Sequence, residues 1–272
     1  MPDRAARPRR LVATGIAAAA ALLPVLLPTA ASAQSNVHYV ALGDSYSAGL
    51  GAGSYISVSG SCDQSSNAYP ALWAAANQPS SYTAKTCSGA TTASVISSQL
   101  AALSAATTLV SITVGGNDVG FTSVMETCVL SPTSSCVSAV NRAEGLIASQ
   151  LPGELDSVLG DIMADAPSAR VVVLGYPELY DLSKSSSCIG LSTTDRTDLN
   201  AAADRLDRQI QLAAARHGDV FADVRSAFAG HEICDSGRWL HSVNVLDISE
   251  SYHPTAAGQA SGYLPAFSRY AG

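Results

Sequence analysis

The stretch VHYVALGDSY at residues 37–46 sets the reading of the whole chain. Its first six residues, VHYVAL, form a short apolar run that stops at Gly43, the pattern of a buried strand. Past the stop, Asp44, Ser45 and Tyr46 open a Gly-flanked turn that is expected to enter a helix. The same pattern recurs downstream. Residues 82–86 are a candidate second strand; 109–114 (LVSITV) is β-branched and stopped by Gly115 and Gly116; 170–174 (RVVVL) ends in Gly175-Tyr176-Pro177; and 220–224 is a short fifth run.

Helical segments fill the intervals, at 68–76, 92–103, 137–165 and 195–216, with a last helix from Pro254 onward. The longest carries Val140, Ile147, Leu151, Leu155, Val158, Leu159 and Ile162 at mostly three/four spacing, and Pro152-Gly153 must kink or divide it. In 195–216, Leu199, Ala202, Leu206, Ile210 and Ala213 make one stripe, and Gly218 ends the helix. Strands alternating with helices, with continuous rather than alternating apolar strand cores, predict one α/β domain built on a parallel sheet covered on both faces. In such a fold the functional residues sit where strands end, at the carboxyl edge of the sheet.

Composition narrows the function. The chain has 272 residues, 47% apolar and 14% charged, which excludes a disordered or fibrous protein. Residues 1–33 read as an export leader: Arg4, Arg7, Arg9 and Arg10 precede an apolar stretch at 11–27 and a small-residue cleavage site at Ala31-Ser32-Ala33. Pro24 and Pro28 argue against a membrane helix there, and Arg9-Arg10 allows a twin-arginine route. Removal of the leader takes away four arginines and one aspartate, leaving 34–272 with 11 basic against 21 acidic residues, a net −10. With only Lys85 and Lys184 as lysines and scattered arginines, no basic face for nucleic acid can be assembled. No later apolar stretch is long enough to insert into a membrane, so an extracellular protein, acting as a monomer, is expected.

All six cysteines (Cys62, Cys87, Cys128, Cys136, Cys188, Cys234) fall after the leader, an even number suited to three disulfides. Zinc would want a CxxC pair or histidines at ligand spacing, and neither is present. Fifteen pairings are possible; the arrangement expected here joins neighbours, Cys62–Cys87, Cys128–Cys136 and Cys188–Cys234. The Ser-rich stretches 54–66 and 131–138 are then loops tied down by these bridges.

Four polar or Gly-rich segments border the predicted sheet edge: 43–46, 87–90, 115–118 and 251–254. A lone turn serine such as Ser45 is commonly a helix cap, and its hydroxyl becomes a nucleophile only beside a base. His38, His217, His231 and His241 read as structural or solvated. His253 differs, because Pro254 suits a first helical position and would leave the imidazole at a helix entry, where the dipole keeps it neutral. Acyl transfer also needs donors for an oxyanion, each worth about 3–4 kcal/mol of barrier. The Ser45 N–H, the Gly89 N–H and the Asn117 side-chain amide are candidates from three separate strand ends. Residues 43–47 do not spell the GxSxG elbow, and 49–53 do not spell GxGxxG.

GDSY at 43–46, Ser88-Gly89, GGND at 115–118 and SYHPTAAGQ at 251–259 run over nearly the whole chain after the leader, in the order found in the SGNH (GDSL-type) hydrolases, and the chain resembles that family. The resemblance implies a single flavodoxin-like three-layer α/β/α sandwich and ester hydrolysis without metal or other cofactor. It makes Ser45 the nucleophile, His253 the base, and Gly89 and Asn117 oxyanion donors beside the Ser45 N–H. The six-cysteine layout is most similar to secreted actinobacterial lipases and phospholipases A1, whose bridges join neighbouring cysteines, so lipid esters are the expected substrates. Carbohydrate deacetylation, or a non-catalytic binding role, are the alternatives on the same fold. Two positions depart from the family pattern: Tyr46 stands for Leu, and Glu250 for the Asp three residues before the histidine. The main-chain carbonyl of Ser251 is therefore favoured over Glu250 as the group that orients His253. Tyr46, Tyr176 and Pro177 are candidate walls of the acyl site.

Overall fold

The five apolar runs become the strands of one sheet: β1 (His38–Gly43), β2 (Ser81–Ala84), β3 (Leu109–Thr113), β4 (Arg170–Leu174) and β5 (Val220–Ala222). The computed structural model describes residues 1–3, 36–184 and 188–272, so the leader expected at 1–33 lies outside the described residues except for its first three. All strand pairs are parallel, in the order β2-β1-β3-β4-β5. That is the flavodoxin-like order, and it reverses direction between β1 and β3. Tyr39 lies opposite Leu109 and Gly43 opposite Thr113, so both strands end at the same level. Every residue of β3 is buried, whereas β2, at the sheet edge, alternates exposed and half-buried positions. Gln34–Gly272 forms one compact unit.

The helices are α1 (Ser45–Ala48), α2 (Tyr69–Asn77), α3 (Thr92–Ser98), α4 (Phe121–Leu130), α5 (Thr133–Ser149), α6 (Leu151–Asp165), α7 (Thr193–His217), α8 (Arg225–Phe228) and α9 (Leu264–Ala271). On one side of the sheet α3 packs on α6 and α6 on α7, with α5 outside α7; on the other, α2 and α9 pack together, with α9 against β4 and β5. The expected α/β architecture with a central parallel sheet is what forms. In α7 the predicted stripe is buried at Leu199, Leu206, Ile210 and Ala213, and Gly218 closes the helix in the left-handed region at φ 75°.

Four local expectations are corrected. The helix expected over 137–165 begins earlier, at Thr133, while its expected division falls at Gln150; Pro152 sits in the first turn of α6, where its missing N–H costs nothing. The stretch 131–138 is therefore not a loop: Cys136 is fully buried, and its burial outweighs the weak helix propensity of the serines around it. Helix α4, which no stripe announced, is held by buried Met125 and Cys128. At the C-terminus, Pro254 forms an isolated bridge with Leu240 and the helix starts two residues later, at Ala256, running through a π-helical segment at Gly258–Tyr263 into α9.

Disulfides join Cys62 to Cys87, Cys128 to Cys136 and Cys188 to Cys234, the neighbour pairing expected. Residues 54–66 include a 3-10 helix, Ser57–Cys62, ending at the first bridge. Among the described residues no helix is long and apolar enough to cross a membrane.

Candidate active site

The turn after β1 is built by backbone constraint. Gly43 has φ +117°, and a Cβ there would meet the Thr113 carbonyl oxygen at 2.3 Å, so only glycine passes. The Asp44 N–H then donates to the Thr113 carbonyl (3.0 Å), fastening the turn to the end of β3. Asp44 caps α1, its carboxylate accepting from the Tyr46 N–H at 3.0 Å. Ser45 is thereby the first residue of a helix at the switch point between β1 and β3, with its N–H directed outward. Neither this N–H nor that of Gly89 has a partner among the described residues.

The Ser45 hydroxyl stands 2.7 Å from Nε2 of His253, 208 positions away in the chain. On the other side of the ring, Nδ1 lies 3.0 Å from the Ser251 carbonyl oxygen. A carbonyl can only accept, so Nδ1 carries the proton and Nε2 is left as the acceptor for the serine O–H. Glu250 is engaged elsewhere: its carboxylate accepts from the Tyr55 hydroxyl (2.6 Å) and the Asn244 amide (3.1 Å). Of the two orienting groups weighed from sequence, the structure brings the carbonyl to the ring.

Burial, with the Ser251 carbonyl opposing it and His241 reinforcing it, pushes the His253 pKa down to about 4. The residue as a whole is half-buried, but its ring packs on that of Tyr46, with centroids 5.2 Å apart. Desolvation is the largest cause of the lowered pKa, and the helix expected from Pro254 starts two residues later, at Ala256, capped by Thr255.

The loop carrying the histidine is strained. Tyr252 adopts φ +66°, a left-handed conformation uncommon for an aromatic residue and costing about 1–3 kcal/mol. It is held there by the Tyr46 hydroxyl, which donates to the Tyr252 carbonyl (2.7 Å), and by paired backbone bonds between Tyr252, His253 and His241. The His241 ring in turn bonds the Gly51 carbonyl at 2.8 Å. Tyr46, where the family pattern has Leu, thus braces the histidine loop.

The buried Asp44 was not read from sequence as part of the site. Its carboxylate accepts from Thr113 Oγ1 (2.6 Å) and the Tyr176 hydroxyl (2.5 Å) as well as from Tyr46, yet desolvation outweighs these bonds and raises its pKa to about 6. An Asp before a helix is a legible cap; that Thr113 and Tyr176 converge on it is not. Asn117 is placed by its neighbours, its amide donating to the Ala90 carbonyl (3.0 Å) and Asp118 accepting from Thr92. One amide proton of Asn117 is left over.

Two cavities meet at Ser45. An apolar one of about 70 Å³ runs beneath the turn between α5 and α7 and is walled by Tyr46, Tyr176 and Pro177, the candidates named from sequence. An open groove of about 440 Å³ brings Ser45, Gly89, Asn117 and His253 to one surface.

A parallel five-stranded sheet with a serine on an imidazole at its switch point is the architecture of an α/β ester hydrolase, and this chain is one. It belongs to the GDSL-like Lipase/Acylhydrolase family, whose model matches residues 41–260. It is 54% identical over 250 residues to Lipase 1 of Streptomyces coelicolor, covering 92% of each chain. It is also similar to two crystal structures, each at a TM-score of 0.84. Phospholipase A1 from Streptomyces albidoflavus NA297 is 53% identical, over 86% of this chain and 98% of that one. The extracellular lipase from Streptomyces rimosus is 49% identical, over 86% and 99%.

Proposed function

We propose that the protein is exported, loses residues 1–33, and cleaves carboxylic esters of lipids through an acyl-enzyme on Ser45. The observation that carries this reading is the 2.7 Å contact of the Ser45 hydroxyl with an imidazole whose other nitrogen is held by a carbonyl. In the first half-reaction Ser45 Oγ attacks the ester carbon while its proton passes to His253 Nε2. The negative charge that develops on the carbonyl oxygen is met by the Ser45 and Gly89 N–H groups and the Asn117 amide. His253 then hands the proton to the departing alcohol, and water repeats the sequence on the acyl-enzyme.

The apolar cavity beside Ser45 supports a fatty acyl chain over an acetyl group, as do the relatives named lipase and phospholipase A1. Three disulfides, and the extracellular relative, support export. Ser45→Ala is expected to abolish ester hydrolysis with the fold intact by circular dichroism; turnover retained by the purified variant would end the proposal. Assays on triglyceride, phosphatidylcholine and an acetylated sugar, with p-nitrophenyl esters of increasing length, set the substrate class. A preference for the acetyl ester would make the protein a deacetylase instead.

A further inference from the structure

The groove at Ser45 is rimmed by apolar side chains that none of the described residues covers. Val129 and Leu130, at the end of α4, line it together with Ile248. Leu130 is 81% exposed and Ile248 68%. Beside Ile248, Val245 and Leu246 are 85% and 95% exposed. Single exposed aliphatic residues are ordinary, but three lining one opening with two more in the adjoining loop are not.

The loop that carries three of them is built to leave water. Asn244 gathers its polar groups: its side-chain oxygen accepts from the N–H groups of Leu246 (3.1 Å) and Asp247 (3.3 Å), and its own N–H donates to Ser251 Oγ (2.8 Å). With these donors satisfied internally, the apolar side chains can enter a medium of low dielectric without stranding them.

Charge selects the medium. The segments that surround the opening, residues 43–68, 115–132 and 241–256, contain no Lys or Arg, but do contain Asp44, Asp63, Asp118, Glu126, Asp247 and Glu250. A membrane of anionic lipid attracts proteins through basic residues, and this rim offers it only carboxylates.

We propose that Leu130, Val245, Leu246 and Ile248 dock the protein onto a lipid surface without net negative charge, setting the mouth of the groove and Ser45 against it. The proposal rests on the lipid-ester reading above. It makes the rim the place where a lipid moves from its aggregate into the groove without crossing bulk water.

The test uses the unit from Gln34 to Gly272 with Ser45→Ala, so that the lipid survives, and measures its partition onto phosphatidylcholine vesicles by co-sedimentation. Val245→Ser/Leu246→Ser is expected to lower the partition coefficient about tenfold or more. Phosphatidylglycerol mixed into the vesicles is expected to weaken binding of the parent. With Ser45 restored, the double variant should keep its kcat/KM on monomeric p-nitrophenyl acetate within about twofold, since neither side chain lines the groove. Unchanged partition, tighter binding to the anionic vesicles, or an equal loss of soluble turnover would overturn the proposal. So would a change in oligomeric state on ultracentrifugation, which would make this face an interface between copies. Vesicle binding needs no turnover, so its failure is read separately from failure of the hydrolase reading.

Discussion

His253 can take a proton from Ser45 only while it is neutral and only while Nδ1 holds the other proton, and two different neighbours meet those conditions. The Ser251 carbonyl fixes the tautomer, and burial holds the pKa near 4. A carbonyl stabilises the imidazolium less than a carboxylate would, so in the proposed reaction more of the barrier falls to the oxyanion donors. Glu250→Ala should consequently reduce kcat/KM less than about tenfold, because the carboxylate bonds Tyr55 and Asn244 rather than the ring. A thousandfold loss in the same assay would reassign it as the partner of the base. The pKa carries its own expectation. Protonation would remove the proposed base, so kcat/KM should hold from neutral pH to about 5 and fall below a midpoint near 4. A midpoint near 6.5, the value of a solvated imidazole, would show that the ring is not desolvated. Ser45, Gly89, Asn117 and His253 were legible in sequence because turns after strands advertise themselves through Gly, Asp and Asn. Asp44 and Tyr252 were not, since their roles come from partners as far away as Tyr176 and Tyr46.

The element that matters most is the turn from β1 into α1. It is four residues of helix with no apolar stripe of its own, held by the Asp44 cap, the Asp44–Thr113 backbone bond and the side chain of Ser47, which bonds Thr113 Oγ1 at 2.8 Å. Gly43→Ala puts a methyl group into the Thr113 backbone at a φ that alanine avoids. The expected cost is about 3 kcal/mol or more, visible as a lowered Tm, together with a loss of about a hundredfold in kcat as Ser45 shifts against His253. An alanine variant with unaltered Tm and kcat would show that the turn has room to spare. Elements with a clear period were found at nearly their true bounds, β4 and α7 above all. Those decided by burial were missed or misplaced. Helix α4 has half-exposed or exposed residues over most of its length, and Pro254 entered a bridge because Leu240 was waiting beside it.

For the molecule as a whole, three bridges divide the unfolded chain unequally, closing separations of 25, 8 and 46 residues. Loop-closure entropy assigns them about 3.5, 2.5 and 4 kcal/mol, so paired Cys→Ala removal should lower stability most for Cys188–Cys234 and least for Cys128–Cys136. Urea unfolding of the three double variants checks the order; a reversed ranking would mean that native-state packing around the bridges, not chain entropy, sets their worth. The amino-acid sequence alone was enough to determine the parallel sheet, the order of the four motifs along it and the even count of cysteines, because strand period, turn chemistry and composition are local properties. Only the tertiary structure decided that a hydroxyl and an imidazole 208 residues apart touch, that a backbone carbonyl and not Glu250 holds the ring, and that the rim of the groove stays bare. Each of those depends on distance and on exclusion of water, and neither quantity exists until the chain has folded.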